Sequence, residues 1–281
     1  MARATANGIE IEYETFGRAD DPALLLVMGF SAQMIGWDPR FCGALAERGL
    51  FVIRFDNRDV GLSTKLDGVP AADVPYTLST MSDDGFGLLD ALGMGQAHLV
   101  GASMGGMIVQ TMAIEHPERV LSMTSIMSTT SEPEYFKSDP EAMQALMTPP
   151  PTEREAYIDN SVQLSRLVSS PRYFDEKFAR ERATAAFDRC FYPEGAGRQL
   201  AAVNASGSRE EGLRALSVPT LVIHGRRDPL VLLPGGERTA ELVAGANLLV
   251  FSDMGHDLPR PLWPLIVDAV ASHARFATTA G

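Results

Sequence analysis

A serine between two glycines is the first feature of the chain that could do chemistry. Ser103 lies in the sequence G-A-S-M-G at 101–105, after an apolar run at 97–100 that predicts a buried strand and before a predicted helix at 104–116. Glycines on both sides permit a tight, strained turn that lifts the serine hydroxyl above the sheet. The five-letter pattern alone is weak evidence, but its place between a strand and a helix predicts a nucleophile.

A serine hydroxyl is a poor nucleophile near neutral pH and needs a base that takes its proton. His256 lies in a glycine-bearing loop directly after the last predicted strand, 247–251. Ligand sites form at the carboxyl ends of parallel strands, where Ser103 also leaves its strand. We therefore predict that His256 is the base. The other four histidines lie within predicted strands or helices or at their ends: His98, His116, His224 and His273.

The base needs a third group that orients its ring, and a carboxylate is the usual choice. Asp228 follows the predicted strand 219–225 and stands between the serine and the histidine in chain order, as this arrangement requires. Asp253 and Asp257 are rivals by proximity, but immediate neighbours on a loop cannot easily hold the His256 ring from behind. Asp228 is the predicted orienting acid.

Acyl transfer builds negative charge on a carbonyl oxygen, and preorganised N–H donors must stabilise it. The residue after the nucleophile, Met104, is expected to supply one backbone N–H at the start of its helix. The loop after the strand 23–28 is expected to supply the other from Phe30, because Gly29 leaves that backbone open to approach. The predicted oxyanion hole is therefore Phe30 and Met104.

Strands alternate with helices around these residues. Alternating apolar and acidic residues at 9–14 predict an antiparallel opening strand after the turn Asn7-Gly8. The remaining predicted strands are 23–28, 51–55, 97–100, 120–127, 219–225 and 247–251, and the predicted helices of this part are 41–49, 78–92, 104–116 and 261–277. This order predicts an α/β fold with a mostly parallel central sheet and helices on both faces.

The alternation stops between 129 and 216. This segment is poor in strand patterns, and it contains candidate helices at 141–147, 153–167 and 176–191 around a triple proline at 149–151. We interpret it as a helical cap inserted into a core domain formed by 1–128 and 217–281.

Charge and composition limit the possible partners. The chain has 281 residues, a formal net charge of -12 and a pI of about 4.9, which argues against nucleic acid or anionic membrane surfaces. No apolar run could span a bilayer, and no leader-like N-terminus is visible, so a cytoplasmic protein is expected. The two cysteines, Cys42 and Cys190, lack metal-site spacing and are expected to be buried thiols.

The motifs together resemble the alpha/beta-hydrolase fold family over essentially the whole chain. The matching pieces are G-A-S-M-G-G at 101–106, the polar turn at 56–63, G-R-R-D-P at 225–229 and M-G-H at 254–256. Met28-Gly29, where many relatives have His-Gly, is similar to aclacinomycin methylesterase-like carboxylesterases, which also share the pattern at 24–29 and Gly36-Trp37. The resemblance implies a cap domain and a serine carboxylesterase. A serine nucleophile excludes the branches that form their intermediate on an aspartate.

The expected activity is hydrolysis of small to medium, apolar carboxylic esters through an acyl-enzyme, without a metal or organic cofactor. Met28, Gly29 and Trp37 are predicted to contact the substrate, whereas Arg58 and Asp59 are interpreted as solvated or structurally paired charges that do not touch it. A monomer or homodimer is expected. Three alternatives stay open: a cofactor-free perhydrolase or haloperoxidase, a lactonase, and a non-catalytic ligand receptor on the same scaffold.

Overall fold

The computed structural model describes residues 2–280 and is built around one eight-stranded sheet. The strands are β1 (Ala2–Ala6), β2 (Ile9–Phe16), β3 (Ala23–Val27), β4 (Phe51–Phe55), β5 (Ala97–Ala102), β6 (Val120–Ile126), β7 (Thr220–Gly225) and β8 (Asn247–Phe251). The α-helices are α1 (Pro39–Ala46), α2 (Leu78–Ala91), α3 (Met104–Glu115), α4 (Pro140–Met147), α5 (Arg154–Val168), α6 (Glu176–Arg189), α7 (Glu194–Ser206), α8 (Glu210–Ala215), α9 (Leu233–Leu242) and α10 (Trp263–Ala280).

The strands follow the order β1-β2-β4-β3-β5-β6-β7-β8. β2 is antiparallel to both β1 and β4, and every pairing from β4 to β8 is parallel. The turn between β1 and β2 places Asn7 at φ 48° and Gly8 at φ 77°, the left-handed conformation that two-residue hairpins need. The predicted α/β class and the antiparallel opening are confirmed.

A hydrophobic core lies on each face of the sheet. Leu24 and Leu26 of β3 point to one face, where they join α1 and α10, and Leu25 and Val27 point to the other, where they join α2 and α3. All five residues of β3 are buried. Because both faces are covered, the central strands are continuous apolar runs rather than alternating ones.

Between β6 and β7 the chain forms five helices, α4 to α8, and the described residues of this segment contain no strand. The three predicted helices are present with shifted bounds, and α6 ends at Arg189 rather than 191. α7 and α8 were not predicted. Outside this segment, α9 and β1 also escaped prediction.

One buried histidine, His98, lies on the sheet away from the predicted base. His98 of β5 is 1% exposed, and its Nδ1 lies 2.8 Å from the hydroxyl of Ser122. Burial, with a smaller contribution from His273, lowers the pKa of His98 to about 4. The folded protein therefore keeps this ring uncharged at a pH at which an unfolded chain would protonate it.

This difference predicts an acid-sensitive stability. Because the folded pKa of about 4 is below the ordinary histidine pKa of 6.5, the unfolded state binds the proton first. His98 therefore removes stability as the pH falls through that window, by up to about 3 kcal/mol. Urea unfolding of wild type and His98→Asn at about pH 7 and about pH 4.5 measures it. The variant should lose less unfolding free energy on acidification than wild type, and equal losses would contradict the assignment.

No helix among residues 2–280 is long and apolar enough to cross a membrane. Cys42 is buried, and its burial raises the pKa of its thiol to about 12, which makes it unreactive. Cys190 is only half-buried, so the expectation of two buried thiols is wrong for this residue.

Candidate active site

Ser103 forms the turn from β5 into α3 in a strained conformation. Its backbone has φ 57° and ψ -120°, a region that non-glycine residues rarely occupy. Hydrogen bonds hold the turn on both sides: its N–H donates to the Ile126 carbonyl at 2.9 Å, and the Ser128 hydroxyl donates to its carbonyl at 2.8 Å. The side chain of Ser103 does not cap α3, although it occupies the N-cap position.

Two glycines make this turn possible because there is no space for a β-carbon. A β-carbon at Gly101 would lie 2.0 Å from the Gly105 carbonyl oxygen, and one at Gly105 would lie 2.1 Å from the Val27 carbonyl oxygen. Both contacts are with backbone, which cannot rotate away. The glycines therefore let α3 approach β3 and β5 closely enough to hold Ser103 at the sheet edge.

Gly105→Ala is expected to lower the free energy of unfolding by about 1–3 kcal/mol, because the new methyl group displaces the β3 backbone. Gly43→Ala in α1 is the matched control, since nothing lies within 4 Å of its added carbon. The control should be unchanged or up to about 1 kcal/mol more stable. Urea unfolding measures both variants, and equal stabilities would refute the packing argument.

The structure brings Asp228 and His256 together. They lie in the loops after β7 and β8, and Nδ1 of His256 donates to Oδ2 of Asp228 at 2.8 Å. The other carboxylate oxygen accepts the backbone N–H groups of Leu230 and Val231, both at 2.9 Å. Asp228 is buried, and its carboxylate accepts all three of these hydrogen bonds. The ring of His256 is therefore held with its Nε2 free for a proton.

The rival carboxylates have other partners. Asp257 accepts the backbone N–H groups of Ser170 and Gly255 at 3.1 and 3.3 Å, and burial raises its pKa. Asp253 pairs with Arg172 at 2.9 Å. Neither is bonded to the His256 ring in the described part of the chain.

A second histidine lies against Asp228. Nε2 of His224 is 3.6 Å from Oδ2 of Asp228 and donates to the Val231 carbonyl at 2.8 Å. Burial lowers the pKa of His224, which keeps the ring neutral. A β-carbon at Gly236 would lie 2.3 Å from its Nδ1, so α9 packs directly on this ring and fixes it behind Asp228.

The predicted oxyanion donors border Ser103. A β-carbon at Gly29 would lie 3.1 Å from Cβ and 3.6 Å from Oγ of Ser103, which places the loop after β3 against the serine. Within residues 2–280 the backbone N–H groups of Phe30 and Met104 have no hydrogen-bond partner. The Ser103 hydroxyl likewise makes no hydrogen bond to His256 here; in ligand-free sites such bonds are often long and tighten when substrate binds.

Other predicted site residues lie further away. Trp37 is 1% exposed and stacks on Phe41 in the core. It therefore has almost no accessible surface with which to make the predicted contact with substrate. Met28 is half-buried, and its Cε lies over Gly36, 2.4 Å from where a β-carbon would be. Met28 thus extends from the loop after β3 towards Gly36 and keeps part of its surface exposed.

The polar turn after β4 is structural, as interpreted. Arg58 donates two hydrogen bonds to Asp84, both at 2.6 Å, and Asp59 accepts two from Arg198 of α7, at 2.8 and 3.0 Å. All four side chains are buried. Asp59 also accepts the Tyr76 hydroxyl at 2.8 Å. This turn therefore anchors α7 to the core.

Sequence reasoning missed a second attachment of the helical segment. Arg189 at the end of α6 forms an ion pair with Asp56 and donates a hydrogen bond to the Gln33 side chain, both at 2.7 Å. The amide of Gln33 in turn donates to the carbonyls of Ala186 and Cys190 at 2.7 and 2.8 Å. No local sequence signal links residues so far apart in the chain.

Known proteins are similar to this chain over most of its length. Residues 22–259 match the family model of the alpha/beta hydrolase fold. The chain is 28% identical over 295 residues to rhodomycin D methylesterase DauP of Streptomyces sp. strain C5, covering 98% of each chain. It is 33% identical over 219 residues to the 2-hydroxymuconate semialdehyde hydrolase of Pseudomonas sp. strain CF600, covering 75% of this chain and 69% of that one. A mutant of the meta-cleavage product hydrolase of Pseudomonas fluorescens IP01 has the same fold, with a TM-score of 0.83 at 24% identity over 99% of this chain and 98% of that one.

Proposed function

Because the chain belongs to the alpha/beta hydrolase fold family, we propose that it hydrolyses carboxylic esters with Ser103 as nucleophile, His256 as base and Asp228 as orienting acid. Phe30 and Met104 supply the oxyanion donors. The family resemblance noted in the sequence is confirmed by the match over residues 22–259. DauP is named a methylesterase, and this supports an ester as the substrate class.

The observation that carries the proposal is the strained backbone at Ser103. A positive φ of 57° in a non-glycine residue costs about 1–3 kcal/mol. A serine whose role was structural would use its hydroxyl as the helix cap, and Ser103 does not. The strain serves instead to hold the hydroxyl at the sheet edge beside Gly29, where an ester carbonyl can reach it together with two unpaired N–H groups.

The reaction follows from this arrangement. Ser103 Oγ attacks the ester carbonyl carbon while its proton passes to Nε2 of His256, and the carbonyl oxygen takes the electron pair and binds the N–H groups of Phe30 and Met104. The carbonyl re-forms as the alkoxide leaves, and the alkoxide takes the proton from His256. A water molecule then attacks the acyl-enzyme and gives a proton to His256. The bond from the acyl carbon to Ser103 Oγ breaks, Oγ takes that proton back from His256, and the carboxylic acid is released.

We further propose that residues 129–216 form a cap domain over this site, and 1–128 and 217–281 the core. Its contacts with the loop after β3 support this: Oε1 of Gln199 in α7 accepts the Ser31 N–H at 2.8 Å, and Gln33 bonds the end of α6. The backbone of Val168 at the end of α5 accepts the His256 N–H at 2.7 Å. The cap therefore touches the loops that carry both the oxyanion donor and the base.

Turnover of short and medium p-nitrophenyl esters tests the proposal. Wild type is expected to hydrolyse these esters, whereas Ser103→Ala is expected not to hydrolyse them. Binding of esters without turnover by wild type would favour a receptor. Peracid formation from peroxide that far exceeds hydrolysis, or opening of lactones in preference to open-chain esters, would favour the other two alternatives.

A further inference from the structure

α6 meets the rest of the protein near both of its ends. Near its start, Phe178 packs on Trp263, with ring centroids 6.2 Å apart. At its end, Ala186 and Arg189 bond Gln33. Arg182 lies one turn after Phe178 and one turn before Ala186, so it shares their inward face.

Arg182 nevertheless remains exposed, although burial by the surrounding protein lowers the pKa of its guanidinium. A side chain on the inward face of a helix can be surrounded by protein and still be accessible to solvent where that face lines a recess. Its position identifies that recess: a β-carbon at Gly36 would lie 3.4 Å from Nη2 of Arg182 and 2.4 Å from Cε of Met28. Met28 adjoins Gly29, which in turn contacts Ser103. Arg182 therefore lies beside the loop that borders the nucleophile.

The guanidinium of Arg182 has no anionic partner among residues 2–280. Three arginines surround the ring of Phe178, with Cζ 5.7 Å from its centroid for Arg40, 5.7 Å for Arg182 and 4.6 Å for Arg260. Arg40 is paired with Asp38 and Arg260 with Asp175. Among the described residues, Arg182 makes no ion pair within 4.0 Å.

The carboxylates that influence Arg182 are committed elsewhere. Asp38 caps α1 and bonds Arg40, and Asp257 accepts the backbone N–H groups of Ser170 and Gly255. Both interact with Arg182 only through the longer-range Coulomb attraction. Because Arg182 is accessible and has no acidic partner within 4.0 Å among the described residues, its donors are open to an anionic ligand. Its planar fork of donors matches a carboxylate.

We propose that Arg182 binds a carboxylate carried by the substrate, so that the preferred substrates are esters with a separate ionised acid group, such as monoesters of dicarboxylic acids. The inference deepens the proposed function and rests on it for the catalytic step. It replaces the expectation of a purely apolar substrate: Met28 supplies the apolar wall, and Arg182 supplies the charge at its edge.

Two measurements test the inference separately from catalysis. The first is kcat/KM of wild type for monomethyl dicarboxylates from succinate to suberate, and for the matching ω-carboxamide methyl esters. The second is calorimetric binding of the free dicarboxylates to Ser103→Ala, which needs no turnover. Arg182→Gln is the test variant in both, and Arg260→Gln is the matched control, because Arg260 faces the same ring but is already paired with Asp175.

Arg182→Gln should lower kcat/KM for the carboxylate esters by about 10- to 100-fold and leave the carboxamide esters within about 2-fold. In the Ser103→Ala background it should weaken dicarboxylate binding by a similar factor. Arg260→Gln should change neither. The inference is overturned if Arg182→Gln affects both ester series equally, if it affects neither, or if dicarboxylates bind equally well with and without Arg182. Dicarboxylate binding that depends on Arg182, without turnover of any ester by wild type, would retain the binding site and reject the proposed function.

Discussion

Ser103→Ala is expected to lower kcat for p-nitrophenyl ester hydrolysis by at least about four orders of magnitude, with little change in KM. The hydroxyl is the atom that forms the acyl-enzyme, and the remaining oxyanion donors alone give only weak catalysis. The substitution removes one atom from a side chain that makes no hydrogen bond in the described structure, so the fold should be retained. Steady-state kinetics and thermal unfolding measure the two effects.

The companion variant Ser103→Gly separates catalysis from strain. Glycine adopts a φ of 57° without the steric penalty that serine and alanine share. Ser103→Gly should therefore be as inactive as Ser103→Ala but up to about 1–3 kcal/mol more stable than wild type. Activity above about a tenth of wild type in either variant would mean that another group is the nucleophile.

Asp228→Asn is expected to lower kcat by about 10⁴-fold, and the reason lies in the hydrogen bonds around the carboxylate. Two backbone N–H groups, those of Leu230 and Val231, point at one oxygen. They orient the new amide so that its carbonyl faces them and its NH₂ group faces Nδ1 of His256. The ring must then accept at Nδ1 and carry its proton on Nε2, which is the wrong tautomer for a base.

KM should change little in this variant, because Asp228 is buried behind the ring and does not face the substrate. Asp257→Asn is the control, since Asp257 is bonded to backbone rather than to the ring. It should retain kcat within about 10-fold, provided that the variant is folded. A larger loss of kcat in Asp257→Asn than in Asp228→Asn would show that Asp257, and not Asp228, orients His256.

The central sheet could be predicted from the sequence because most of its parallel strands are short, largely apolar runs that end in a glycine-bearing or polar loop. Ser103 and the two loop residues Asp228 and His256 then follow from chain order, since parallel strands deliver their carboxyl ends to one edge. The contact between Asp228 and His256 is observed. The catalytic roles of the three remain predictions.

Elements that break local rules escaped prediction. The first turn of α9 contains Pro234, Gly235 and Gly236, which normally indicate a loop. Gly236 is there because the helix packs on His224, a contact that only the folded chain reveals. α7 likewise contains two glycines, one of which, Gly195, would place a β-carbon 1.9 Å from the Asp59 carbonyl oxygen.

Long-range charge pairs also lie beyond sequence reasoning. Arg198 and Asp59 are far apart in the chain yet form a buried bidentate pair. Arg189 at the end of α6 is a second example, since its side chain is only 10% exposed and forms an ion pair with Asp56. Whether an arginine on a helix faces solvent, a buried acid or a cleft is decided by the elements packed against it.

Covalent labelling with a fluorophosphonate tests the central claim most directly, because the reagent reacts with a serine only when that serine is activated and an oxyanion hole receives the phosphonyl oxygen. Intact mass and peptide mapping should find one adduct per chain of wild type, on Ser103. Ser103→Ala and denatured wild type should give none, and Asp228→Asn should react far more slowly. An adduct on another residue, or equal labelling of Ser103→Ala, would contradict the account.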